Sequence, residues 1–116
     1  MPFSDPDSSF RDILDSISMI EEFIHGMDLD TFRFDAKTKA AVERKMQAIS
    51  EAAIRLKDIA ENLCPEVPWR DIRGIGNWLR HQYDFIDVET IWNTIQDDLP
   101  SLKKAVERVL ARPSRS

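Results

Sequence analysis

The chain has 116 residues, with 16 Lys and Arg against 21 Asp and Glu. Its net charge of −5 gives no global positive field to draw it onto nucleic acid or an anionic membrane, so any such contact must use a local patch. Its single cysteine, Cys64, excludes an internal disulfide, no Cys/His cluster has zinc-ligand spacing, and three glycines are few for the turns of an all-β fold.

A composition 42% hydrophobic and 32% charged is that of a globular domain with one core. The start, Met1 to Asp7, is acidic and lacks an apolar signal core, and no stretch approaches the roughly 18 apolar residues of a membrane span. The expectation is one helical domain over 1–116, with flexible ends at about 1–7 and 112–116, cytoplasmic and without membrane contact.

Ser8 and Ser9 precede Phe10, Ile13, Leu14, Ile17, Ile20 and Ile24, the rhythm of an amphipathic helix, and Gly26 follows as a stop. Residues 27–34 alternate apolar and polar like a strand but have no partner strand. They are read as a connector with a helical turn, its aromatics packed on the bundle.

The longest element runs from about Asp35 to Leu63. Val42, Met46, Ile49, Ala53, Leu56, Ala60 and Leu63 recur as a heptad seam. Ala41, Ala48, Ala52 and Ile59 form a second stripe, small enough for close approach of another helix or another copy. Pro65 and Pro68 end this element.

A third helix is expected from Trp69 to about Gln82. Asp87 then caps a short helix with Val88, Ile91, Trp92, Ile95 and Leu99 inward, and Pro100-Ser101 breaks the chain before Leu102, Ala105, Val106 and Val109. The architecture predicted is an all-α antiparallel bundle of four main helices plus a short fifth.

The third helix carries the chemistry. At about 100° per residue, Ile72, Ile75 and Leu79 share one face, while Arg73, Asn77, Arg80, His81 and Asp84 fall on an opposite arc. Guanidinium groups hold phosphate through paired hydrogen bonds and His titrates near neutral pH, so this arc suits a phosphate site; it also suits the solvated face of any surface helix. Trp69, Trp78 and Trp92 suit base stacking or packing, with Trp78 expected to be partly exposed. Glu51 is placed either in solvent or across the bundle from an Arg of this helix.

The run Pro68-Trp69-Arg70-Asp71-Ile72-Arg73-Gly74-Ile75-Gly76-Asn77-Trp78-Leu79-Arg80-His81-Gln82-Tyr83, followed by Asp87 and Ile91-Trp92, resembles the signature region of HepT-like proteins. These are helical-bundle ribonuclease toxins of the HEPN superfamily. The likeness extends to Ile49–Ala53 and to Leu99-Pro100-Ser101-Leu102. The family hallmark is Arg-Asn, a short run, then His-any-Tyr: Asn77, His81 and Tyr83 match it, and Gly76 stands at the Arg position. Arg73 and Arg80 are candidates to supply the missing guanidinium, since a neighbouring Arg can enter the space Gly76 leaves.

The resemblance implies a metal-independent endoribonuclease toxin with no cofactor, acting on RNA as a homodimer or higher homo-oligomer. It also implies a minimal nucleotidyltransferase antitoxin that attaches AMP to Tyr83. The candidate catalytic set is His81, Asn77, Arg80 and Arg73. Metal-free RNA cleavage needs a base, an acid and positive charge on the phosphate. One motif histidine per chain makes pairing of two copies attractive, because the other, His25, lies outside the motif. The alternative, for which Gly76 argues, is a non-catalytic helical interaction subunit partnering a nucleotidyltransferase.

Overall fold

The computed structural model describes residues 5–81 and 87–113, with His81 described by its backbone alone. The described residues form helices and no strand: α1 (Pro6–Phe23), α2 (Leu29–Arg33), α3 (Ala36–Leu56), α4 (Asp58–Leu63), α5 (Trp69–His81), α6 (Val88–Asn93), a π-helical turn (Thr94–Asp98) and α7 (Leu99–Leu110). α1 lies against α3 and α7, and α5 lies against α3, so α3 is the spine between the first helix and the polar one.

α1 starts earlier than the serines suggest. The Asp5 carboxylate accepts the Asp7 N–H at 3.0 Å and Pro6 takes the first helical turn, where its fixed φ is favourable and its missing N–H costs nothing. Ser9 is instead buried, and its Oγ accepts from Arg55 Nε at 3.4 Å. Phe10, Ile13, Ile17 and Ile20 point into the core as their spacing predicts.

The connector does hold one helical turn, α2, capped by Asp28, which accepts the Thr31 N–H at 2.8 Å. Its aromatics part company. Phe32 is buried with its ring centroid 5.2 Å from that of Trp92, whereas Phe34 is 84% exposed.

The heptad seam is buried from Val42 to Ala60, while Leu63 emerges at 37% exposure. The element is broken at Lys57, whose φ of +52° lies in the left-handed region. Because of that break the Lys57 N–H turns to Ile54 O at 3.2 Å, and the Ala53 carbonyl loses the partner that a continuous helix would provide.

α5 begins after Pro68, whose carbonyl accepts the N–H groups of Asp71 and Ile72 at 3.1 and 3.2 Å. Trp69 locks this end. It is 1% exposed, its indole N–H donates to Cys64 O at 2.9 Å, and its ring meets Phe10 edge-on at 6.4 Å, so packing and not stacking on bases accounts for it. Cys64 is fully buried, and burial pushes its thiol above its usual range, away from nucleophilic use.

Pro100 does not break the chain as the sequence suggests. The helix runs from Val88 to Leu110, with the wider π turn just before the proline. A proline lacks the N–H that the carbonyl four residues back expects and crowds it with its ring; a local change of hydrogen-bond pitch accommodates both, with Pro100 in the first turn of α7.

Candidate active site on α5

Of the two candidate arginines, Arg73 is already occupied. Its Nε donates to the orphaned Ala53 carbonyl at 3.1 Å and Nη2 to Lys57 O at 2.6 Å, while Nη1 and Nη2 hold the two Glu61 oxygens at 2.6 and 2.9 Å. These bonds engage four of the five N–H donors of a guanidinium. Arg73 therefore caps the broken end of α3, clamps α4 and ties both to α5. The ion pair raises the Arg73 pKa, mainly through the Glu61 hydrogen bonds, and the same bonds lower that of Glu61. Glu61, and not Glu51, is thus the acidic partner; Glu51 lies in an open groove between α1 and α3 beside Asp12 and Arg55.

This geometry predicts that Arg73→Ala is chiefly a stability variant. Loss of the carbonyl caps and the clamp on α4 should cost about 2 kcal/mol, read as an earlier urea midpoint with an unchanged slope.

Arg80 is differently placed. It is exposed, has no ion-pair partner among the described residues, and its Nη1 lies 3.5 Å from where a Cβ on Gly76 would stand. One turn separates the two positions along the same face. The guanidinium of Arg80 thus folds back along the helix to lie beside position 76.

Gly76 also sets how closely α5 approaches α3. The Ser50 hydroxyl donates to Arg73 O at 2.8 Å and accepts the Gly76 N–H at 3.2 Å. A Cβ at Gly76 would meet Ser50 Oγ at 3.0 Å. Ser50 is 1% exposed, and this pair of bonds satisfies a buried hydroxyl at the heart of the helix contact.

Asn77 is exposed on the outer face of α5, one turn before the backbone of His81. The His81 side chain and Tyr83 lie outside the described residues, as does Asp84. The helix places Arg80, Asn77 and the His81 position on a single outward arc, as the wheel predicts.

Gly74 is a different case from Gly76. It is exposed, sits in the interior of α5, and a Cβ there would meet nothing within 4 Å. Glycine in a helix interior costs about 0.8–1 kcal/mol relative to alanine, and no packing within the described chain calls for it.

On the flank of α5 opposite Arg80 lies a cavity of about 210 Å³, between α3, α5 and the α6–α7 rod, with Trp78 half-buried at its edge. Its walls are Ile49, Ile72, Ile75, Leu99 and Leu102; Asp71, Asp98, Thr90 and Thr94 supply the polar groups. Sequence reading did not find this cavity, although Asp71, Ile75 and Trp78 recur on one stripe of the wheel.

The model of the family "Ribonuclease HepT-like" matches residues 13–109, and the chain belongs to that family. It is 37% identical to "Probable ribonuclease HepT" of Thermococcus cleftensis, over 85% of this chain and 90% of that protein. It is 33% identical to "Putative RNase MJ0127" of Methanocaldococcus jannaschii, over 95% of this chain and 91% of that relative. A second protein of that organism, "Putative RNase MJ1380", is 34% identical over 84% of this chain. No solved structure matches the chain with significance. Among the described residues no helix is long and apolar enough to cross a membrane.

Proposed function

We propose that this protein is a metal-independent endoribonuclease, the toxin of a toxin–antitoxin pair, with the outward arc of α5 as its active face. The observation that carries the reading is Arg80: its Nη1 lies 3.5 Å from where a Cβ on Gly76 would stand, and the residue directly precedes His81 on the helix that also carries Asn77. In this reading the His81 imidazole takes the proton of a ribose 2′-hydroxyl. The oxygen attacks the adjacent phosphorus, the bond to the 5′-oxygen breaks, and that oxygen receives a proton. The products are a 2′,3′-cyclic phosphate and a 5′-hydroxyl end. Arg80 bears the charge that builds on the phosphate, and Asn77 orients a phosphate oxygen or the ribose.

The leaving oxygen needs an acid, and a homodimer that brings a second His81 to the same phosphate provides one; the small-residue stripe of Ala41 and Ala48, half-buried on α3, supports a close approach of copies. Gly76 favours one rival, a non-catalytic subunit partnering a nucleotidyltransferase. That reading predicts no cleavage from wild-type protein.

Tyr83 is the proposed control point. AMP attached to its phenol by a nucleotidyltransferase adds a phosphodiester charge and an adenosine close in sequence to Arg80 and His81, where they compete with an RNA phosphate for the guanidinium. Incubation with a minimal nucleotidyltransferase of the proposed antitoxin class, and ATP, should add AMP units to wild type and none to Tyr83→Phe by intact mass, with cleavage lost in step. Equal adducts on both proteins, or none, would remove this switch.

A further inference from the structure

We propose that the cavity beside α5 is a base-binding subsite for the RNA and that the base it takes is guanine; RNA as the ligand rests on the ribonuclease reading above. The cavity is apolar on its walls, with the half-buried Trp78 ring at its edge as a stacking surface. Its polar groups are mostly acceptors, and of the four only the Thr90 hydroxyl keeps a proton to donate. Asp71 and Asp98 have no ion-pair partner among the described residues, and an ionised carboxylate only accepts. The Thr94 hydroxyl spends its proton on Thr90 O at 2.9 Å, leaving its lone pairs as what it offers a ligand.

An acceptor-rich rim selects a base edge with adjacent donors. On the Watson–Crick edge guanine presents N1–H beside the N2 amine, which a carboxylate binds through both oxygens. Adenine and cytosine place one amine beside a ring acceptor, and uracil flanks one N–H with two carbonyls; neither pattern satisfies a carboxylate twice.

Gly74 is the independent observation. The cavity's rim at Asp71, Ile75 and Trp78 continues into an open groove over Arg70 and Gly74, and the missing side chain at Gly74 serves no packing within the described chain. It lets a strand lie directly on the helix. In register around α5, the positions of Asn77, His81 and Gly74 fall between Arg80 on one flank and Trp78 on the other. A ribose-phosphate crossing that arc meets the guanidinium on the α3 side and delivers its base to the cavity, while Asp71 and Asp98 repel the phosphate from the wrong flank.

The test is binding of uncleavable 2′-deoxy pentanucleotides carrying one G, inosine, A, C or U at the central position, read by fluorescence anisotropy, alongside cleavage of the matching RNAs. The G oligonucleotide should bind roughly 10- to 100-fold more tightly than the others, inosine included because it lacks the N2 amine. Asp71→Asn should erase most of that preference, with Asp98→Asn as the companion variant. Gly74→Ala, which favours the helix and should raise the melting temperature, should weaken binding about tenfold for every base.

Binding without base preference, no binding, or a preference untouched by both Asp variants would overturn the subsite. So would Gly74→Ala acting by dissociating an oligomer in sedimentation, since that would give the face to a second copy. Preference for G in binding with no cleavage of any RNA would instead overturn the ribonuclease reading and leave the subsite standing.

Discussion

His81→Ala should lower RNA cleavage by about 10²- to 10⁴-fold, the range a positioned proton-transfer group supplies, and should abolish any growth arrest that expression of this chain causes. Wild-type activity should persist in EDTA. The physical reason lies in what α5 brings together: Asn77 and Arg80 precede the His81 position by one turn and by one residue, and a neutral imidazole is the side chain able to take a proton near pH 7. Because His81 lies beyond the interlocked Ser50–Gly76 contact with α3, its truncation should leave the fold intact by circular dichroism and thermal melting. Cleavage retained in His81→Ala, or cleavage that needs Mg²⁺, would end the proposed mechanism.

Arg80→Ala is expected to cost about 2.7–4 kcal/mol of barrier, roughly a 10²- to 10³-fold loss in kcat with little change in stability. Arg73→Ala should show the reverse pattern, because its guanidinium holds Ala53 O, Lys57 O and Glu61 together and leaves almost nothing to offer a phosphate. Arg80→Lys should recover only part of the loss, since an ammonium lacks the two-pronged fork that grips phosphate oxygens. A relocation experiment tests the same point from the other side. In the Arg80→Ala background, Gly76→Arg should restore cleavage only when combined with Ser50→Ala, because a Cβ at position 76 meets Ser50 Oγ at 3.0 Å. Single-turnover kinetics on one labelled RNA reads all of these variants. An Arg73→Ala protein that stays fully stable but loses cleavage would reverse the assignment.

Most of the helical framework was legible from local pattern. The seam from Val42 to Ala60, the inward faces of α1 and α5, the stop at Pro65 to Pro68 and the cap at Asp87 all follow from 3.6-residue periodicity and from residues whose backbone chemistry starts or ends a helix within a few positions. The polar arc of α5 was legible for the same reason, as was its resemblance to a family motif. Three local readings went astray: Asp5 with Pro6 took the cap from Ser8 and Ser9, the long helix broke at Lys57, and a π turn absorbed Pro100 in place of a break.

The division of labour between the arginines could be decided only by the tertiary structure. In sequence Arg73 and Arg80 are equivalent neighbours on one stripe. What separates them is the break at Lys57, which frees the Ala53 carbonyl, and Glu61 on the short helix beyond it, twelve residues away in the chain. Hydrogen-bond partners at such separations are set by how rods pack, and that depends on the sum of many buried contacts. The same holds for Ser50 under Gly76 and for the cavity beside Trp78. A periodic pattern tells which face of a helix turns inward, but the space left between two such faces, and the groups that meet across it, exist only once the helices are docked.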